Sequence, residues 1–202
     1  MFINVSKTER YSVRNKTDTD WRQCKIVGSC LGTEEDIKRR KQLTNFSYAN
    51  IKPIFKDQHL TVDTKLRIFS ALLESIFLYN SEIWTVNKTI EREIDVFQRQ
   101  LLRNILNIRW SSGNWLTNEE LYTETHQIPW SVKIERRRIS WFNHVSRLGP
   151  ESSAFRALIE YCRQGKRYRF GQTITLMSVI EKDLKKRGIN SIYQGIVEAQ
   201  HR

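Results

Sequence analysis

Apolar residues recur through most of this chain at the three-to-four-residue spacing of helices that turn one face to a core. Leu66, Phe69, Leu72, Leu73, Ile76 and Ile83 mark one such stripe, on a helix beginning near Asp63. Ile90, Ile94, Phe97, Leu101, Ile105 and Ile108 mark the next, with Thr89 placed to cap it. A short loop over 84–88 would make these two helices antiparallel neighbours sharing the main core. Ahead of them, Thr33 with Asp36 three residues on resembles an acidic capping box. The helix it opens should end near Ile51, because Pro53 disfavours helix at Lys52.

The pattern continues to the C-terminal end. Thr117 and Glu120 form a capping-box pair for a short helix reaching about Thr125. Pro129 suits the first turn of a longer helix running to Leu148, with Ile134, Trp141, Phe142, Val145 and Leu148 on its apolar side. Gly149-Pro150 stops it. Further helices are expected over 152–163, 174–187 and 192–199, with Gly188 just past the second of these. The one strand-like stretch is 24–31, Cys-Lys-Ile-Val-Gly-Ser-Cys-Leu, broken at Gly28; residues 10–14 could pair with it. The expected fold class is therefore mainly α: a helical bundle with a short N-terminal β element and a basic helical C-terminal extension. The expected division is 1–32, 33–110 and 111–202.

Charge adds a direction. The net charge is +12, and it is unevenly placed. Residues 1–60 carry 12 basic and 7 acidic groups, residues 61–130 carry 7 and 9, and residues 131–202 carry 15 and 6. Basic ends around a near-neutral middle point to a polyanion, with nucleic acid the common one. Membrane surface and simple solubility are the bland alternatives. No segment reaches the roughly 18 apolar residues of a spanning helix, so no membrane partner is expected. The three Cys (Cys24, Cys30, Cys162) have no paired spacing, which reads as a reduced, intracellular protein of the nucleus or cytoplasm.

Candidate catalytic chemistry is sparse. Nucleotidyl transfer needs carboxylates that clamp metal ions. Asp18-Thr19-Asp20 is the nearest candidate, but its polar surroundings read as a solvated turn, and no adjacent Asp pair occurs. The Cys and His residues lack zinc spacing. No catalytic residue and no cofactor are expected. The basic segments are more informative. Lys166, Arg167, Tyr168 and Arg169, followed by Phe170 and Gly171, interleave cations that neutralise phosphates with rings that stack on bases. A solvated loop with its rings tucked into a core is the alternative. Arg136, Arg137 and Arg138 face three directions on a helix, so they cannot all meet one ligand. His144 and Arg147 share a face.

Several blocks, in order, resemble the region that follows the catalytic palm in LINE-type (non-LTR) retrotransposon reverse transcriptases. They are Asn15-Lys16-Thr17 with Val27-Gly28-Ser29-Cys30-Leu31-Gly32; Asp36-Ile37-Lys38-Arg39-Arg40; Lys65-Leu66-Arg67-Ile68-Phe69-Ser70-Ala71; and Leu78-Tyr79-Asn80-Ser81-Glu82-Ile83-Trp84. Then come Phe97 to Leu106 with Trp110, Thr117-Asn118-Glu119-Glu120-Leu121, Arg136 to Leu148, and Gly165 to Gly171. The resemblance implies a primer-gripping hairpin, a thumb-like helical domain and a basic extension engaged with RNA template and DNA primer. It implies nucleic-acid contacts at Lys25, Lys38, Arg39, Arg136, Arg137, His144, Arg147, Lys166, Arg167, Tyr168 and Arg169. The chain departs from the family at Asn80 and Asn143, where Gly is common, and at Gln172-Thr173, where Arg-Pro is common. The palm with its Asp-Asp box, which would hold magnesium, and the endonuclease are absent. This chain alone is therefore expected to bind template and primer without polymerising, as the product of a truncated reading frame. A decayed remnant without function and a repurposed helical interaction module are the alternatives.

Overall fold

A 3₁₀ turn (Asp20–Gln23) and two short strands come first in the described structure. In the computed structural model, which describes residues 20–108, 113–164 and 174–201, β1 (Lys25–Ile26) and β2 (Ser29–Cys30) pair antiparallel, Lys25 opposite Cys30 and Ile26 opposite Ser29. Gly28 does not break one strand, as expected from sequence. It is the second residue of the two-residue turn between two strands. The sequence partner over 10–14 lies outside the described residues. The turn has φ +49° at Val27 and +78° at Gly28, the left-handed pair that two-residue hairpins demand. Asn-Gly is the natural occupant; a β-branched residue at the first position is strained. Val27 is 77% exposed, so its side chain returns little packing for that strain. Val27→Asn is expected to raise stability by about 1 kcal/mol, read as a higher melting temperature; a lower one would contradict the turn.

The first helix, α1 (Thr33–Lys56), starts and ends differently from the sequence expectation. Gly32 is its N-cap and no side chain caps it. Asp36 is buried and accepts from the Cys30 backbone N–H at 2.8 Å, so it serves the hairpin as well as its own helix, where Arg40 Nε stands 3.8 Å away. The helix continues through Pro53 to Lys56. Proline there removes the bond to the Ala49 carbonyl, but both residues are exposed, so solvent can take the freed carbonyl. Beyond it, Phe55 is buried and stacks on Tyr48 at 6.0 Å between centroids, which holds the last turn.

The next helical run changes pitch midway: α2 (Val62–Ile68) leads into a π-helical segment, Phe69–Glu74, then α3 (Ser75–Phe77). The wider turn carries more residues than the 3.6 of an α turn, so the inward line becomes Phe69, Leu73 and Phe77, all fully buried. Leu72, expected inward by α periodicity, is 45% exposed. The Ser75 hydroxyl donates to the carbonyls of Ala71 and Leu72 at 2.7 and 2.9 Å, engaging acceptors inside the widened turn. The hairpin, α1 and this run belong to one compact unit, Met1–Asn80; a second unit spans Ser81–Arg202.

In the second unit, a 3₁₀ turn (Ser81–Ile83) leads to α4 (Lys88–Ile105), capped by Asn87, whose Oδ1 accepts from the Ile90 N–H at 2.9 Å. Thr89 is inside the helix and not its cap. The short helix α5 (Asn118–Thr125) has the expected capping box: Thr117 N–H to Glu120 Oε2 at 2.7 Å, and Glu120 N–H to Thr117 Oγ1 at 3.3 Å. Donation by the Thr117 backbone N–H first, and by its side chain second, holds the Glu120 carboxyl below the usual carboxylate range. After α6 (Trp130–Ser146) come α7 (Ser153–Gln164), α8 (Leu176–Lys185) and α9 (Ile192–Gln200). The helix α6 is central, packing against α4, α7, α8, α9 and the turn Ser81–Ile83. A core gathers Ile139, Phe142 and Val145 of α6, Leu158 of α7, Ile180 and Leu184 of α8, and Ile192 and Ile196 of α9. The chain is thus mainly α, with one small antiparallel hairpin among the described residues.

Candidate nucleic-acid interface

The start of α6 is organised from another helix. Pro129, at its N-cap, offers no side-chain acceptor. Gln98 and Asp95 of α4 supply them: Trp130 N–H donates to Gln98 Oε1 at 2.8 Å, and Ser131 N–H to Asp95 Oδ1 at 2.9 Å. The Ser131 hydroxyl donates to Asp95 Oδ2 at 2.7 Å, and Gln98 Nε2 donates to the Ile128 carbonyl at 3.0 Å. These bonds satisfy N–H groups that every helix start leaves orphaned, and they fix how α6 is rotated about its axis.

That rotation sorts the three consecutive arginines. Arg138 is 1% exposed; its Nε donates to Asp183 Oδ2 of α8 at 2.7 Å and its Nη1 to the Trp84 carbonyl at 3.2 Å. Arg136 and Arg137 are exposed. At 100° per residue, Arg136, Ser140 and Arg147 fall in one line, with Arg137 and His144 beside it. His144 and Arg147 are exposed as well. The four expected contact residues of this helix thus lie on one solvent-facing side, opposite Ile134, Ile139, Phe142 and Val145. Half-buried Lys133 continues the stripe one turn earlier, and exposed Ser140 lies within it. Neither was expected from sequence, although their spacing of three and four residues from the arginines is visible there.

Acidic groups of the second unit lie around Arg138, on the buried side. Lys186 donates to Glu135 Oε2 at 2.6 Å and stands 3.6 Å from Asp183 Oδ1. The bond it donates to Glu135 is the first cause holding the Lys186 ammonium above its usual value. Glu91 of α4 faces Lys186, Arg138, Asp183 and Glu135; burial outweighs the two cations and pushes its carboxyl up.

In the first unit, Lys25 and Lys38 are exposed, on β1 and α1. Arg39 is half-buried and its Nη1 donates to the Gly28 carbonyl at 2.5 Å, so part of its capacity holds the hairpin turn. Arg40 Nη2 joins it there at 2.7 Å and also donates to Ser29 Oγ at 2.9 Å. The Arg40 guanidinium lies 4.5 Å from the Tyr79 ring centroid, and Tyr79 Oη donates to the Val27 carbonyl at 3.1 Å. Asn80 Nδ2 donates to Ser29 Oγ at 3.1 Å. The hairpin brings Lys25 and Arg39 to the surroundings of Cys30, whose thiol is pushed up first by burial and then by Asp36. Lys38, one position before Arg39 on α1, points elsewhere to solvent. Lys166, Arg167, Tyr168 and Arg169 lie outside the described residues, as does Asp18.

Two departures from the resembled family acquire a backbone context. Asn80 has φ +56°, a left-handed position that Asn and Gly share after a helix end. Asn143 lies inside α6, where helix requires no Gly. Among the described residues, no group of three or more His, Cys, Asp or Glu is placed to hold a metal, and no helix is long and apolar enough to cross a membrane. No protein-family model, curated protein or solved structure matches this chain.

Proposed function

We propose that this chain binds nucleic acid through the exposed cationic side of α6, as the thumb-like C-terminal part of a LINE-type reverse transcriptase that positions template and primer without polymerising by itself. One observation carries the reading. The helix turns Arg138 inward to a carboxylate and leaves Arg136, Arg137, His144 and Arg147 together on the solvent side. Charge arranged this way suits phosphates, which set position on a duplex without reading its sequence. The Asn80 backbone supports the family reading, since the exchange of Gly for Asn falls where both fit.

The test is the salt dependence of binding to an RNA–DNA primer–template, followed by fluorescence anisotropy from about 50 to about 200 mM salt. The wild-type affinity should fall steeply. The triple variant Arg136→Glu, Arg137→Glu, Arg147→Glu should bind at least about tenfold more weakly. Its slope should be flatter by roughly 0.9 for each phosphate it no longer neutralises, with helix content unchanged. Unchanged affinity would overturn the reading. It would favour a helical interaction module, for which Leu43, Phe46 and Ile54 of α1 form an exposed apolar line, Phe46 being 68% exposed.

A further inference from the structure

A second cationic and aromatic cluster lies in the same unit, on α4 and the loop before α5. Arg99 and Arg103 are four residues apart and share a helix face. Arg99 Nη1 donates to Tyr122 Oη at 3.4 Å. Arg103 Nη2 donates to the Leu116 carbonyl at 3.2 Å and to Asn118 Oδ1 at 2.9 Å. These acceptors are all neutral, and among the described residues neither guanidinium meets a carboxylate. Two like charges are therefore held side by side. Burial first, and the neighbouring Arg99 charge second, press the Arg103 guanidinium toward its neutral form. An anion at this face would relieve that repulsion.

The aromatic member is Trp115. The Arg103 guanidinium carbon stands 4.5 Å from the Trp115 ring centroid, within cation–π range. Arg103 is itself anchored at Leu116 and Asn118, so the indole has an anchored neighbour. Trp115 nonetheless keeps 43% of its surface exposed. A large ring held in place beside cations that lack carboxylate partners matches the demands of one nucleotide: a flat apolar surface for the base and fixed donors for its phosphate.

We propose that Arg99, Arg103 and Trp115 form a subsite for one unpaired nucleotide, the indole stacking on the base and the guanidinium pair facing the phosphate. This deepens the nucleic-acid reading and rests on it, adding a preference for single-stranded segments that the α6 side does not supply. Stacking is tolerant of base identity, because every base has a π face.

The experiment compares full-chain binding of a single-stranded thymidine oligonucleotide with that of an abasic oligonucleotide of equal length. Both carry the same phosphates. The wild-type chain should prefer the base-bearing strand by about tenfold. Trp115→Ala should abolish that preference, and Trp115→Phe should retain most of it. The α6 triple variant should weaken both strands equally, so failure of the α6 reading shows separately from failure of the subsite. A preference that survives Trp115→Ala, or a wild-type chain with no preference, overturns the proposal. Absence of binding to either strand overturns it together with the reading beneath it.

Discussion

Replacing Arg138 with Met lowers the stability of the Ser81–Arg202 unit by about 3–5 kcal/mol. The cause is the charge left behind. Asp183 is buried and its Oδ2 accepts from Arg138 Nε at 2.7 Å. Without that partner its carboxylate must stay ionised in a poorly hydrated place or take a proton, and both cost free energy. Lys186 stands 3.6 Å from the other oxygen and compensates in part, which places the loss toward the lower end of the range. That help is complete at neutral pH. The Lys186 ammonium is held above its usual value, so its contribution is full below the ordinary lysine range and lost only as the pH rises through the raised value. Hydrogen exchange resolved by segment should show faster exchange in α6 and α8. Protection equal to wild type would mean the pair carries no net stability. The double variant Arg138→Met, Asp183→Leu removes both charges and should recover most of the loss.

In the first unit, Asp36→Ala is expected to cost about 2–3 kcal/mol. The Asp36 carboxylate accepts from the buried Cys30 N–H at 2.8 Å and stands 3.8 Å from Arg40 Nε. Its removal orphans that N–H and leaves Arg40 with only neutral acceptors and the Tyr79 ring. Because Arg40 also holds the Gly28 carbonyl and Ser29, the hairpin should loosen as a whole. Asp36→Asn keeps an acceptor for Cys30 and should lose less than Asp36→Ala. Exchange in segments covering β1, β2 and the first turns of α1 reads the difference, and equal losses in the two variants would rule out the acceptor role.

Most helices were legible in the sequence because local signals and periodicity agreed. Thr117 and Glu120 form the box their spacing announced, and Pro129 stands at the N-cap of α6, just before the first turn it was expected in. The misses have different physical origins. Asp36 suits a cap, but the hairpin needs an acceptor for Cys30 and takes it. Pro53 argues for a stop, but Phe55 packing on Tyr48 extends the helix. Leu72 belongs to the α stripe by count, yet the π-helical segment leaves it exposed and turns Phe77 inward beside the expected Leu73. The cationic side of α6 was half legible. Helical geometry already said that Arg136, Arg137 and Arg138 must part company, but the residue that draws Arg138 inward lies 45 positions downstream. Trp115 and the arginine pair were invisible as a cluster, since a loop residue announces no facing direction.

The dependence of α6 on Asp95 and Gln98 bears on how the chain is made. A helix nucleus is costly to form, and the acceptors that complete this one sit 32 and 36 residues upstream. Synthesis delivers α4 first. The start of α6 therefore leaves the ribosome toward acceptors that already exist, and the order of emergence coincides with the order in which these bonds can close. An excised 130–146 peptide would lack those acceptors and fray at its first turn, while a piece that begins at α4 carries its own template for the helix that bears the cationic side.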